Sequence, residues 1–263
     1  MNSLTRRSRD FFGKCKMENL YNLRGKNAWI IGGRRIGQKV GEVLAQHGAN
    51  LILSYKTSKQ EALETVRKIK NNSIRTFIVH TDATSKESVI NAVDNIKKNF
   101  KKIDIVVLMA SVFERIEIMS VTEEHLRKNF DIHVLGTFLP VQVSLNLIPR
   151  GGHLITICDR SSIGRTYPNY LPYIVTKGAV GHLTTALAFE LASKGIFINS
   201  IAPGPILKAE NISDKDWQKI RSNSIIDYKI TDSEAVNEFA KLVLYLSTVR
   251  STGSIYPLDF GHL

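Results

Sequence analysis

The stretch Trp29-Ile30-Ile31-Gly32-Gly33-Arg34-Arg35-Ile36-Gly37 joins an apolar run to a glycine-rich turn and then to residues with helical spacing. Glycines let the backbone approach a ligand closely, and the unpaired N–H groups at a helix N-terminus attract phosphate. The pattern predicts a strand, a tight turn and a helix that bind the pyrophosphate of a dinucleotide; the alternative is an ordinary strand-to-helix connection. The residues expected at this contact are Gly32, Arg34, Arg35, Ile36 and Gly37.

Short apolar runs alternate with helical patterns along the rest of the chain. Strands that alternate with helices form parallel sheets with right-handed crossovers, and mostly apolar strands suit a sheet covered on both faces. We therefore predict an α/β fold, a single domain with a doubly wound, Rossmann-like parallel sheet of seven strands and ligands at their carboxyl ends. The predicted strands are Asn27–Ile31, Asn50–Tyr55, Arg75–His80, Asp104–Met109, His153–Cys158, Phe197–Ile201 and Ser254–Pro257.

The composition argues against several classes of protein. The formal net charge is +12, but the basic residues are spread along the 263-residue chain, so we expect no nucleic acid partner. No apolar run reaches the roughly 18 to 20 residues that span a bilayer, so we expect no membrane partner. Two cysteines, Cys15 and Cys158, lack the spacing of a disulfide framework or a metal site, which favours a cytoplasmic protein without a metal.

The first residues differ from the rest because they are rich in arginine and lysine and contain no apolar segment typical of a secretion signal. We expect residues 1–24 to form a basic, mobile extension and residues 25–263 to form the Rossmann-like domain. A transit peptide and a start at Met17 are the alternatives for this extension.

Tyr173 and Lys177 are four residues apart, which places a phenol and an ammonium one turn apart on the same face of a helix. A phenol has a pKa of about 10, and a nearby cation favours the phenolate, which brings that pKa toward neutrality. Together with the glycine-rich turn, the pair indicates hydride-transfer chemistry with an acid or base at Tyr173.

The segment after the second predicted strand indicates which dinucleotide binds. An NAD-specific site carries a carboxylate there for the ribose 2′-hydroxyl, but Ser54, Tyr55 and Lys56 offer none. A lysine, a hydroxyl and the upstream arginines favour a 2′-phosphate, so NADP(H) is the predicted cofactor. Asp82 ends the third strand and either accepts a hydrogen bond from the adenine amino group or caps the next helix.

These features resemble the short-chain dehydrogenase/reductase family from Lys26 to Leu263, including the segment Asn199 to Gly204. Within the family the chain is most similar to the pteridine and dihydromonapterin reductases. Four details carry this closer resemblance: Arg35 in place of the middle glycine, Ser54-Tyr55-Lys56, Ala110-Ser111-Val112-Phe113, and Asp159 where most relatives have a serine.

The resemblance implies a role for each matching residue. Tyr173 would donate the proton, and Lys177 would lower its pKa and bind the nicotinamide ribose. Phe113, with Ser111, would form a wall of the substrate slot, with a core phenylalanine as the alternative. Further cofactor contacts would come from Ala110, Pro203, Gly204 and Ile206.

The resemblance also implies a lid and an assembly. Residues 205–230 would form a mobile lid, in which Trp217 contacts substrate or anchors a short helix. The family further implies a homotetramer built through the helices that end near Asn146 and Ser193, acting on a small-molecule substrate.

Several departures leave alternatives open. Gly32 is only five residues before Gly37, one fewer than in the family's turn, and the asparagines that support the cofactor site are missing. His133 replaces the asparagine of the proton relay and is either a relay or a structural histidine. Ser161 and Ser162 compete with Asp159 for the third catalytic position.

Three hypotheses on function follow. The first is an NADPH-dependent reductase of a pterin-like C=N or a C=O substrate, favoured by Phe113 and Asp159. The second is a carbonyl reductase of oxoacyl or small ketone substrates, which a functional Ser161 or Ser162 would favour. The third is a non-catalytic NADP-binding sensor, suggested by the shortened turn.

Overall fold

A computed structural model describes residues 21–69, 73–210, 212–227 and 229–262. Seven parallel strands form one sheet in the order β3-β2-β1-β4-β5-β6-β7, which confirms the predicted doubly wound architecture. The strands are β1 Asn27–Gly32, β2 Asn50–Tyr55, β3 Thr76–His80, β4 Ile105–Met109, β5 His153–Ile157, β6 Phe197–Pro203 and β7 Ile255–Leu258. Residues 1–20 of the predicted basic extension lie outside the described residues.

Helices connect these strands. They are α1 Arg34–Gln46, α2 Lys59–Lys68, α3 Lys86–Asn99, α4 Glu123–Phe130, α5 Gly136–Ser144, α6 Leu171–Ala192, α7 Asp214–Ser222 and α8 Asp232–Leu246. A π-helical turn, Asp131–Leu135, joins α4 to α5, and a 3₁₀ turn, Arg160–Ile163, follows β5. In the described part of the chain, we find no helix with the length and apolar character needed to cross a membrane.

The order of the strands reverses beside β1, which is where a doubly wound sheet binds its ligand. Ala28 of β1 pairs with Leu51 on one side and with Ile105 of β4 on the other. The chain therefore goes to opposite sides of β1 in its two halves, and the loops after β1 and β4 separate to leave a crevice.

The two faces of the sheet are covered by different helices, as mostly apolar strands predict. On one face, Ile30 and Leu53 belong to a buried cluster with Leu44 of α1 and Phe239 of α8. On the opposite face, side chains that alternate with these along the strands join a second cluster, which includes Trp29, Ile52, Val89, Ile96 and Leu187. Burial on both faces fixes the strands so that the loops at their carboxyl ends form a defined site.

Candidate active site

A cavity of about 850 Å³ lies at the carboxyl ends of the strands. It is lined by most of the residues predicted from the sequence, which come from eight separate segments of the chain. They are Gly32, Arg34, Arg35, Ile36, Gly37, Ser54, Tyr55, Lys56, Asp82, Ala110, Ser111, Phe113, Asp159, Tyr173, Lys177, Pro203, Gly204, Ile206 and Trp217. His133 and the two serines that compete with Asp159, Ser161 and Ser162, do not line it.

The glycine-rich turn lies between β1 and α1. Gly32 and Gly33 have φ values of 79° and 74°, which favour glycine, and a Cβ atom at Gly32 would lie only 2.6 Å from the backbone nitrogen of Ala110. Gly33 is the N-cap of α1, and this helix has neither a side-chain cap nor an acidic residue in its first turn. The N-terminal N–H groups therefore suit an anion such as a pyrophosphate.

The two arginines of this turn have different partners. Arg34 forms an ion pair with Glu61 of α2, with 3.2 Å between Nη2 and Oε1. Arg35 Nη1 instead donates a hydrogen bond of 2.8 Å to the carbonyl of Lys208, in the segment that follows β6. Arg35 thus connects the first turn of α1 to the proposed lid.

The hydroxyl of Ser54 takes part in a short chain of hydrogen bonds at the end of β2, beside the cavity. It accepts from Trp29 Nε1 at 2.8 Å and lies 2.9 Å from the hydroxyl of Thr81. The neighbouring Tyr55 ring meets the edge of His80 at 5.5 Å between centroids. These contacts fix the end of β2, from which Lys56 extends.

Lys56 and Asp82 form an ion pair with 2.7 Å between Nζ and Oδ2. The other oxygen, Oδ1, accepts from the backbone N–H of Thr84 at 3.0 Å and from its hydroxyl at 2.7 Å. Burial alone would raise the pKa of Asp82, but the hydrogen bonds from Lys56 and Thr84 and the charge of Lys56 outweigh it and lower that pKa. The interpretation of Asp82 as a helix cap is wrong, because Ser85 is the N-cap of α3.

Tyr173 and Lys177 lie one turn apart in α6, and both are buried, with 8% and 3% of their surface exposed. Lys177 Nζ donates to the carbonyl of Ile157 at 2.7 Å and is 5.7 Å from the centre of the Tyr173 ring. Burial lowers the pKa of Lys177 to about 8, against the attraction of Cys158 and Asp159.

The Tyr173 hydroxyl donates to Asp159 Oδ2 at 3.2 Å. Burial first, and then the negative charge of Asp159, raise the pKa of Tyr173 well above its usual value. The expected shift of this pKa toward neutrality is therefore not seen, because burial and the carboxylate at the hydroxyl outweigh the attraction of an ammonium that contacts the Ile157 carbonyl. Tyr173 is kept as a neutral phenol, the form that can give a proton.

Of the three candidates for the third catalytic position, Asp159, Ser161 and Ser162, only Asp159 lines the cavity. It is the N-cap of the 3₁₀ turn after β5, and its Oδ1 accepts from the Ser161 backbone N–H at 2.8 Å. Ser162 Oγ donates to the carbonyl of Lys177 at 2.9 Å, which is a structural contact. Ser161 Oγ is buried without a hydrogen-bond partner among the described residues, and Ser161 does not line the cavity.

Tyr167 also contacts Asp159, although the sequence did not identify it. Its hydroxyl donates to Asp159 Oδ2 at 3.3 Å, so this oxygen accepts from two phenols. Burial, followed by the charge of Asp159, raises the pKa of Tyr167. The only signal in the sequence is a cluster of tyrosines between Asp159 and Lys177, which has no fixed spacing.

Aromatic rings form one wall of the cavity. Phe113 stacks on Tyr170, with 4.4 Å between centroids and 15° between planes, and it meets the edge of Tyr173 at 4.8 Å. Phe113 is half-buried and lies outside the two core clusters, so it is not a core residue. The sequence did not identify Tyr170, whose ring supports this wall.

His133 lies behind Tyr173 in the π-helical turn, and the two rings meet edge to face at 5.4 Å. Its Nε2 accepts from the Val112 backbone N–H at 3.2 Å, so the proton is on Nδ1, which is 2.8 Å from the Thr176 hydroxyl. Burial, and then the charge of Lys177, lower the pKa of His133 to about 3. Both nitrogens have protein partners, as in a structural histidine, and the relay role stays a hypothesis.

The segment after β6 covers the opposite side of the cavity. The side chain of Ile206 is buried in the core, which leaves its backbone near the cavity. Trp217 Nε1 donates to Asp232 Oδ1 at 3.2 Å, and Arg221 lies over the indole ring and pairs with the same carboxylate. Trp217 therefore anchors α7 to the start of α8 while it also lines the cavity.

Comparisons with known proteins indicate the family of the chain. Residues 32–262 match a family model described as enoyl-(acyl carrier protein) reductase. An oxidoreductase of Methylorubrum extorquens is 32% identical over 70% of this chain and 75% of its own length. Tetrahydroxynaphthalene reductase of Pyricularia oryzae is 29% identical over 70% of this chain and 66% of its own. A short-chain dehydrogenase from Burkholderia cenocepacia, solved with NADP, is 25% identical with a TM-score of 0.83, covering 92% of this chain and 99% of its own.

Proposed function

Because the chain belongs to the short-chain dehydrogenase/reductase family of oxidoreductases, we propose that it is an NADPH-dependent reductase of a flat ring substrate. Hydride would pass to the carbon of a C=N or C=O group. The observation that carries this proposal is the hydrogen bond of 3.2 Å from the Tyr173 hydroxyl to Asp159. Both residues line the cavity together with the aromatic ring of Phe113. Membership of an oxidoreductase family, together with the buried Tyr173 and Lys177, argues against a sensor without catalytic activity.

The assignment of NADPH rests on the charge around the end of β2. Residues 53–57 contain no carboxylate, and Lys56 and Arg34 both line the cavity there. The relative from Burkholderia cenocepacia was solved with NADP, which supports the same choice. In this arrangement the N-terminus of α1 would hold the pyrophosphate, Asp82 would accept from the adenine amino group, and the Ile206 backbone would meet the nicotinamide carboxamide.

The proton would come from Tyr173. Its raised pKa keeps the phenol protonated at neutral pH, and Lys177 stays charged below a pKa of about 8. The ammonium would stabilise the negative charge that develops on the phenol oxygen as the proton leaves. NADPH supplies the hydride when it is bound. Water held by Asp159 is the alternative proton source.

Two classes of flat substrate fit the cavity. A pterin-like heterocycle would place N–H groups against the Asp159 carboxylate, which accepts but cannot donate when it is ionised. A ketone on an aromatic ring system is the second candidate, favoured by the likeness to tetrahydroxynaphthalene reductase. Both substrates would stack against the ring of Phe113, so stacking does not separate them. They differ at Asp159, because a heterocycle can donate N–H groups to the carboxylate and a ketone oxygen cannot.

The test compares three variants on one pterin and one aromatic ketone. If Asp159 binds the N–H groups of a heterocycle, Asp159→Ala should lose at least about a hundredfold in pterin reduction, the scale of a lost acid–base group. The matched controls Ser161→Ala and Ser162→Ala should keep most of this activity. Full pterin reduction by Asp159→Ala, with loss of ketone reduction in a serine variant, would rule out the heterocycle.

We also propose that four copies assemble. Apolar side chains are exposed along α4 and α6, and such patches mark protein interfaces. They are Leu126, Phe130, Val175 and Phe189, with 39%, 46%, 54% and 85% exposed. Light scattering should give four times the chain mass of 29.5 kDa, and Phe189→Glu should reduce it. Ile90→Glu, at an exposed site on α3, is the control and should keep the wild-type mass. A wild-type monomer would refute the proposal.

The cytoplasmic location stays a prediction.

A further inference from the structure

The ion pair between Lys56 and Asp82 joins two groups that the proposed site needs for different parts of the cofactor. Lys56 is one of the cations available to a 2′-phosphate, and Asp82 is the acceptor available to the adenine amino group. Their side chains are 2.7 Å apart, so each holds the other. Neither group is fully available to a ligand while this contact is made.

The carboxylate of Asp82 has little remaining capacity. A carboxylate offers about four acceptor positions. Two are taken on Oδ1 by the backbone N–H and the hydroxyl of Thr84, and one is taken on Oδ2 by Lys56. The Lys56 contact also neutralises the charge that would attract another donor.

The two partners differ in their freedom to move. Asp82 is held by Thr84 and has only 22% of its side chain exposed, whereas the Lys56 side chain is 60% exposed on a flexible stem. An arriving phosphate would therefore draw the lysine away and leave the aspartate in place.

We propose that the Lys56–Asp82 pair couples recognition of the 2′-phosphate to recognition of the adenine amino group. The phosphate takes Lys56, and Asp82 Oδ2 then becomes a stronger acceptor for the base. This inference rests on the proposed use of NADPH. The chain would thus select NADPH twice, because the phosphate both binds and makes the adenine contact stronger.

A second ion pair provides the matched control. Arg34 and Glu61 are 3.2 Å apart, with 61% and 46% of their side chains exposed. Arg34 also lines the cavity, but it has no contact with Asp82 among the described residues. Arg34→Gln should weaken phosphate binding without changing the coupling, whereas Lys56→Gln should change both.

The experiment measures dissociation constants, by nicotinamide fluorescence at low salt, for four ligands without substrate. They are NADPH, NADH and the analogue of each in which unsubstituted purine replaces adenine, so that a hydrogen stands where the amino group was. For each pair of ligands, the ratio of dissociation constants without and with the amino group measures what that group contributes. In the wild type this ratio should be at least about threefold larger for the pair that carries the 2′-phosphate than for the pair that lacks it. A threefold difference lies within the free energy that a partly exposed ion pair contributes. In Lys56→Gln this excess should disappear, and in Arg34→Gln it should persist.

Each outcome has a separate meaning. If the wild type binds NADPH no better than NADH, the cofactor assignment fails and this inference fails with it. If NADPH is preferred but the amino group contributes equally in both pairs, only the inference is overturned. It is also overturned if Lys56→Gln keeps the wild-type excess, because another residue would then carry the coupling.

Discussion

The part of the cavity that we propose binds the cofactor, called the cofactor end, and the part that we propose carries out catalysis, called the catalytic end, hold their charged groups in different ways. At the cofactor end, Arg34 and Lys56 have 61% and 60% of their side chains exposed, and each faces a carboxylate. At the catalytic end, Lys177, Asp159 and Tyr173 are only 3%, 6% and 8% exposed and contact each other or the backbone.

This difference determines how each end responds to change. Exposed ion pairs are weak and screened by salt, so their partners can exchange with a ligand at little cost. Buried groups have strongly shifted pKa values and fixed geometry, so removal of one group should have a large effect. We therefore expect variants at the catalytic end to affect turnover by orders of magnitude, and variants at the cofactor end to affect affinity modestly.

The largest expected effect is at the catalytic end. Tyr173→Phe removes the hydroxyl that donates to Asp159 and keeps the ring that packs against Phe113. Turnover should fall at least about a hundredfold, as for a lost general acid, whereas the dissociation constant for NADPH should change less than about twofold. Steady-state kinetics and cofactor fluorescence measure the two quantities.

Tyr245→Phe is the matched control, because it removes a phenol hydroxyl from a partly exposed tyrosine of α8, outside the cavity lining. It should keep wild-type turnover. Near-normal turnover in Tyr173→Phe would remove Tyr173 from the mechanism, and a large loss of NADPH affinity would show that the two ends are not independent.

The sequence was sufficient for the architecture and for most of the cavity lining. Mostly apolar strands and regular alternation predicted all seven strands, with bounds that differ by one residue at one end of β1, β3, β4 and β5 and at both ends of β7, and by two at the end of β6. These features depend on local patterns. Tyr167 could not be predicted as a partner of Asp159, because that contact depends on how a loop without regular spacing folds back.

Local sequence patterns could not predict which charged groups contact each other in the cavity. Spacing placed Lys177 beside Tyr173, but it did not indicate that Asp159 accepts from the phenol and raises its pKa. In the same way, Lys56 and Asp82 come from separate strand ends, and only the parallel register of β2 and β3 brings them together.

A smaller effect is expected at the cofactor end. NADPH should bind at least about tenfold tighter than NADH at low salt, equivalent to roughly 1.4 kcal/mol. The preference should decrease as salt rises, because Lys56 and Arg34 are exposed and their contacts with a phosphate are screened. Titrations followed by nicotinamide fluorescence at several salt concentrations measure both affinities.

Lys59→Gln is the control for this preference, because Lys59 lies at the start of α2, close in sequence to Lys56, but does not line the cavity. It should keep the wild-type ratio. Equal dissociation constants for the two cofactors in the wild type at low salt would refute the assignment, and a ratio independent of salt would place the phosphate in a buried site.

The last expected effect concerns stability rather than turnover or affinity, and it tests burial behind the catalytic end. Burial, and then the charge of Lys177, lower the pKa of His133 to about 3 from its usual 6.5. Between these pH values the unfolded chain binds a proton that the folded protein does not. The free energy of unfolding therefore decreases as the pH falls from 6.5 toward 3, by at most about 1.4 kcal/mol per pH unit.

His133→Asn removes this titration while an amide oxygen can still accept from the Val112 N–H. Between about pH 6 and pH 4, the variant should lose roughly 2.5 kcal/mol less stability than the wild type, measured by urea unfolding. Burial lowers the pKa of His153 to about 4, and its contribution persists in both proteins. His182→Asn, at an exposed position of α6, is the control for loss of any histidine and should keep the wild-type slope. If His133→Asn loses stability as steeply as the wild type, burial does not shift the pKa of His133. The contrast between exposed charges at the cofactor end and buried, shifted groups at the catalytic end would then not include the residue behind Tyr173.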